Sequence, residues 1–225
     1  MSTQSTEQLL SELARDLTPV RPIARLRSVL LGAAAIWLLA SLVHWALGAP
    51  RPRTGAWGDP AFVAILVGLA LTGAGALLTA VAAAVPGRDA AVRKGRGATL
   101  AGALLAFGAG AWAVALAEPQ GTPASGFGPG LSCALRASAL GVLPALLLCA
   151  FLARGVAQRL SLAVVFAAVG GLALGAVTVH TSCPYGGALH ALLAHALTPF
   201  VAALWLALPL VGLTRSWAGR RSGPD

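Results

Sequence analysis

The sequence predicts an all-α protein, an integral membrane bundle of six transmembrane helices with the N-terminus and C-terminus both cytoplasmic. Two patterns point there: six long apolar runs joined by short loops, and basic residues concentrated on alternate loops. Composition agrees, because 57% hydrophobic residues, 10% charged residues and a mean hydropathy of +0.80 over 225 residues leave too little polar surface to coat a soluble globule. The net charge of +9 is not a nucleic-acid footprint, since the basic residues stand in ones to fours beside apolar runs and form no stripe. No direct nucleic-acid binding is expected.

The chain divides into a cytoplasmic N-terminal segment over residues 1–27, a six-helix domain over 28–213 and a basic cytoplasmic tail over 214–225. In the first segment Ser5 and Gln8 have the spacing of a capping box, and Leu9, Leu10, Leu13 and Leu17 then fall along one side of a helix. Such a stripe can lie on the membrane surface, pack on the cytoplasmic loops or enter a groove on a partner protein. Pro19 and Pro22 stop this helix, and Arg21, Arg25 and Arg27 anchor the chain at the headgroups.

The apolar runs cover residues 28–48, 60–84, 98–117, 137–152, 161–180 and 188–213. Each approaches the roughly 20 residues that cross a hydrocarbon core, the fourth being the shortest. None carries an internal charge, whereas a soluble amphipathic helix would place one every third or fourth residue. The first run is too long, and its basic leader too extended, for a cleaved signal peptide. In the second, Gly68 and Thr72 lie four apart, as do Gly171 and Gly175 in the fifth, a spacing that permits close helix contact. A chain so rich in Gly and Ala produces such pairs by composition alone. Pro144, Pro199 and Pro209 remove backbone donors in the fourth and sixth runs and are candidate kinks. Cys149, within the fourth run, reads as an inert buried thiol.

Thirteen basic residues fall on one side: Arg15, Arg21, Arg25 and Arg27; Arg88, Arg93, Lys94 and Arg96; Arg154 and Arg159; Arg215, Arg220 and Arg221. Only Arg51, Arg53 and Arg136 fall on the other. The positive-inside bias therefore puts the N-terminus, second loop, fourth loop and C-terminus in the cytoplasm.

That orientation exposes Cys133, read as lying in the third loop, and Cys183, in the fifth, to an oxidising compartment. There a thiol pair forms a disulfide or holds a soft metal. His180, Cys183 and His190, with Cys133, are the candidate metal ligands, since imidazole and thiolate together suit Zn or Cu. His190 and His195 project about 140° apart on an α-helix and do not readily face one ion. His44, near the outer end of the first run, reads as a hydrogen-bonded interfacial histidine.

The stretch Leu13-Ala14-Arg15-Asp16-Leu17-Thr18-Pro19-Val20-Arg21-Pro22, the six-span layout and an outer Cys183-Pro184 followed by His190 resemble the NrsF-type negative regulators of extracytoplasmic-function sigma factors. The resemblance covers essentially the whole chain. It implies a six-helix anti-sigma factor of the bacterial inner membrane that holds a sigma factor and releases it on an outside stimulus. It also implies Cys133 and Cys183 as the sensing pair, and a partner-binding surface that includes Leu9, Leu10, Leu13, Asp16, Leu17, Pro19, Arg21 and Pro22. The stimulus, whether redox, metal or photo-oxidative, is not chosen by the sequence.

Two other classes compete. A small-solute or metal transporter needs ionisable groups at mid-membrane, and the spans have none. A membrane thiol oxidoreductase relays electrons through two cysteine pairs, and only one outer pair exists. With no nucleophile triad, phosphate loop or paired acids, the chain is not expected to be an enzyme.

Overall fold

The computed structural model describes residues 25–49, 55–116, 127–154, 159–185 and 187–219, together with Gln8, Ser11 and Arg15 as isolated helical positions. The stretch expected to bind a partner, with Leu9, Leu10, Leu13, Asp16, Leu17, Pro19, Arg21 and Pro22, lies outside the described residues. Among the described residues every long element is helical: α1 (Leu26–Ala46), α2 (Pro60–Ala83), α3 (Asp89–Leu116), α4 (Phe127–Leu152), α5 (Leu160–Ser182) and α6 (Ala188–Gly219). All six are long and apolar enough to cross a membrane.

Local chemistry explains the helix ends. Asp59 caps α2 by accepting from the backbone N–H of Ala61 at 2.9 Å and of Phe62 at 3.4 Å, and Pro60 occupies the first turn, where its missing donor costs nothing. Gly87, at φ 76°, makes the tight reversal between α2 and α3. Two helices begin earlier than their apolar runs. α3 reaches back through Arg93, Lys94 and Arg96 to Asp89, whose carboxylate suits a helix N-terminus. α4 reaches back past Arg136, so its membrane-length portion is Gly130–Leu152 and not the short stretch that hydropathy outlines. Arg136 is exposed and ends the apolar run without ending the helix.

α5 is the hub, buried over most of its length and packed against α2, α4 and α6. The small residues expected from composition stand at helix contacts. On α2 and α3 the interlocked positions are Gly68, Thr72 and Gly75 against Gly95, Gly102 and Ala106; a Cβ on Gly68 would lie 2.6 Å from the Ala106 backbone nitrogen. On α4 and α5 they are Ala137, Gly141 and Ala145 against Gly171 and Gly175; a Cβ on Gly175 would fall 2.7 Å from the Gly141 nitrogen. Backbones approach this closely only where side chains are absent.

α1 joins α5 through polar groups. The Trp37 indole N–H donates to Leu174 O at 2.8 Å and lies 3.0 Å from Thr178 Oγ1. Ser41 and Thr178 hydroxyls share a bond of 2.7 Å, and His44 Nε2 lies 3.1 Å from Ser182 Oγ, the hydrogen-bonded role expected of His44. Outward, the bundle presents large apolar side chains, among them Leu39, Leu42, Leu104, Trp112, Trp205 and Leu208. Two interior clusters divide the bundle lengthwise. One, at the end rich in basic residues, holds Val29, Val81, Leu148, Cys149 and Leu172. The other holds Ile65, Leu69, Ala137, Val179, Cys133 and Cys183.

A candidate thiol and imidazole site at one end of the bundle

Cys133 does not lie in a loop. It sits in the second turn of α4, one turn before Ala137, and faces inward with 4% exposure. Because α4 and α5 are antiparallel and pressed together at Gly141 and Gly175, Cys133 comes beside the end of α5, where Cys183 terminates the helix. Cys183 is 6% exposed, and its Sγ is 3.3 Å from His190 Nε2 and 3.8 Å from Tyr185 O. All three cysteines are free thiols. The Cys133 sulfur beside it, and then burial, push the Cys183 thiol above its ordinary pKa.

α6 supplies the imidazoles by an irregular route. Its first turn, Ala188–His190, is α-helical, but Ala191–Leu197 is wound as a π-helix before the α form resumes at Thr198. Pro199 explains the widened turn: it has no N–H for the carbonyl four residues earlier, and its ring crowds that carbonyl in α geometry. Thr198 Oγ1 donates to Leu193 O at 3.2 Å within this widened segment. In a π turn the residue five positions on comes back to nearly the same face. His195 is thereby brought beside His190, their ring centroids 5.2 Å apart.

One ligating atom from each of Cys133, Cys183, His190 and His195 lies within 4.8 Å of the other three, and all four residues are buried. Of the ligands expected from sequence, Cys133, Cys183 and His190 come together, whereas His180 stands one shell away. Its Nε2 is 3.1 Å from Phe62 O, its ring stacks on Phe62 at 4.3 Å, and it meets His195 edge-on at 5.0 Å. His195 takes the place expected of His180. An α-helical wheel leaves His195 out of the group; Pro199, four residues on, is the sequence signal that the wheel does not hold. A cavity of about 70 Å³ leads from Tyr185 and Asp59 at the surface to Cys183 and His195.

The arrangement can form a Cys133–Cys183 disulfide or hold a metal ion through sulfur and nitrogen, and it offers no oxygen-rich shell for a hard cation.

Six helices long and apolar enough to cross a membrane, with a buried thiol and imidazole cluster toward one end and a basic fringe at the other, are compatible with a multi-pass class of helical protein. Within that class, the family described as NrsF, negative regulator of sigma F, matches residues 13–217. The chain belongs to this family, and the match includes all four residues of the cluster. No curated protein and no solved structure matches the chain.

Proposed function

We propose that the chain is a multi-pass protein of the bacterial inner membrane that sequesters a sigma factor of the extracytoplasmic-function class and releases it when the outer end is chemically altered. The observation that carries this reading is the family match, whose description names negative regulation of a sigma factor and whose span begins inside the leucine-striped N-terminal segment. The apolar belt around the bundle supports insertion in lipid, and the loop charges support cytoplasmic termini.

In this reading the N-terminal segment, Leu9 to Pro22, is the handle for the sigma factor, and Cys133 with Cys183 is the input. Oxidation of the pair, or capture of a soft metal such as Zn or Cu, changes how α4, α5 and α6 pack. For release to follow, the altered state must have a different free energy with and without the bound sigma factor. We read the chain as a binding protein and not as an enzyme. The polar contacts of α1 with α5 support a physical path, since α1 follows the handle directly and ends beside Ser182, next to Cys183.

The test is co-purification of the full chain with its sigma factor from membranes. Removal of residues 1–17 is expected to abolish capture, and unaltered capture after that deletion rejects the handle.

A further inference from the structure

We propose that Cys133, Cys183, His190 and His195 form a closed four-coordinate site for one thiophilic divalent cation of the zinc class, with His195 as the fourth ligand. This deepens the reading of the cluster as the input end, and rests on it only for what binding does to the sigma factor.

Geometry comes first. A tetrahedral ion with sulfur at about 2.3 Å and nitrogen at about 2.0 Å holds its donors about 3.3 to 3.8 Å from one another. The four donors already lie within 4.8 Å of one another, so closure onto an ion needs shifts on the order of 1 Å.

His195 supplies the second argument. It is 1% exposed, and neither Nδ1 nor Nε2 has a hydrogen-bond partner. A buried imidazole left wholly unpaired costs on the order of 1–3 kcal/mol, and the π turn that carries it aims the ring at two thiols and a second imidazole. A metal ion on one ring nitrogen turns that cost into a bond. His180 is already engaged with the Phe62 carbonyl and is left outside.

Charge selects the valence. On binding, each thiol gives up a proton, two metal–sulfur and two metal–nitrogen bonds form, and two protons leave through the cavity beside Tyr185. Two thiolates cancel a dipositive ion, so the complex is neutral among Ile65, Leu69 and Val177, where any net charge would be costly. A monovalent ion would leave the site negative. No electron transfer is involved. Oxidation of the pair to a disulfide, by contrast, needs a two-electron acceptor and removes both anionic ligands.

The full chain, reduced and held in detergent micelles, is titrated with Co²⁺ as a spectroscopic probe. The expected result is about one ion per chain, with the intense visible bands of tetrahedral Co²⁺ and a thiolate charge-transfer band, all bleached by Zn²⁺. Cys133→Ser and Cys183→Ser each weaken the charge-transfer band, and His195→Ala lowers affinity at least about tenfold. His180→Ala leaves the spectrum and affinity unchanged. His195→Cys keeps tetrahedral coordination and strengthens the charge-transfer band, which separates ligation from mere misfolding. The inference is overturned if the unaltered chain gives only octahedral Co²⁺ or none, or if His180→Ala abolishes the spectrum while His195→Ala keeps it. Sigma-factor capture is scored on the same preparations. Tetrahedral Co²⁺ without capture sinks the regulatory reading alone, and capture without tetrahedral Co²⁺ sinks the metal site alone.

Discussion

Ser41 of α1 and Thr178 of α5 share a 2.7 Å hydrogen bond between buried hydroxyls, and Trp37 reaches the same Thr178 oxygen at 3.0 Å. Thr178 is thus a junction that ties the first helix to the hub one turn before Ser182 and Cys183. Thr178→Val keeps the shape and removes the junction. Interhelical bonds of this kind contribute about 0.6 to 1.7 kcal/mol, so a loss of roughly 1–2 kcal/mol is expected. Thermal unfolding in detergent measures it, and an unchanged midpoint would refute it. Sigma-factor release should also become less responsive to the stimulus, read from a reporter.

The α4–α5 seam sets the separation of Cys133 and Cys183. Gly141→Val or Gly175→Val places a side chain where the facing backbone already lies and is expected to cost about 1–3 kcal/mol or more. Cys133 should move away from Cys183, and the yield of a Cys133–Cys183 disulfide under mild oxidant should fall. Gly97→Ala, where a Cβ meets nothing within 4 Å, is the matched control and should change neither quantity. Equal yields in all variants would mean that the seam does not position the pair.

Pro199→Ala restores a backbone donor to α6. The outer part of the helix is then free to return to α winding, which turns His195 about 140° away from His190. Co²⁺ affinity is expected to drop at least about tenfold while total helix content holds or rises. An undiminished tetrahedral spectrum would show that the π turn persists without the proline.

Topology is open to direct labelling. In a chain stripped of its own cysteines, Tyr185→Cys should react with a membrane-impermeant maleimide on intact cells, because Tyr185 is 42% exposed at the end that the proposed topology turns outward. Lys94→Cys, at the opposite end of α3, should react only after permeabilisation. The reverse pattern would invert the whole arrangement of input and handle.

If Cys133 and Cys183 are the input proposed above, loss of either thiol should blunt signalling. With the sigma factor's own promoter driving a reporter, Cys133→Ser and Cys183→Ser are expected to flatten the response to stimulus while leaving capture of the sigma factor intact. A normal response in the double variant would remove the pair from the sensing role.

The six long apolar helices are legible because a helix of that length is written in hydropathy alone, and that reading needs no tertiary information. The start of α4 is not, since Arg136 interrupts the apolar run although its side chain can leave the bundle while the backbone stays helical. Hydropathy therefore puts Cys133 in a loop, whereas it is a packed helical residue. Three members of the cluster, Cys133, Cys183 and His190, are legible from residue type and closeness to the ends of the apolar runs. His195 is not, because uniform α-helical periodicity fails through a stretch that Pro199 rewinds. The small-residue pairs at Gly68 and Gly171 looked like composition; only their partners on the facing helices, Gly102 and Gly141, distinguish a contact from a coincidence.

The glycine seams carry one more consequence. Where two helices touch main chain to main chain, there are almost no rotamers between them to absorb a push, and packed interiors compress very little. A disturbance at Cys133 and Cys183 cannot be cushioned locally in such a joint. It must travel as a displacement of one helix against the other.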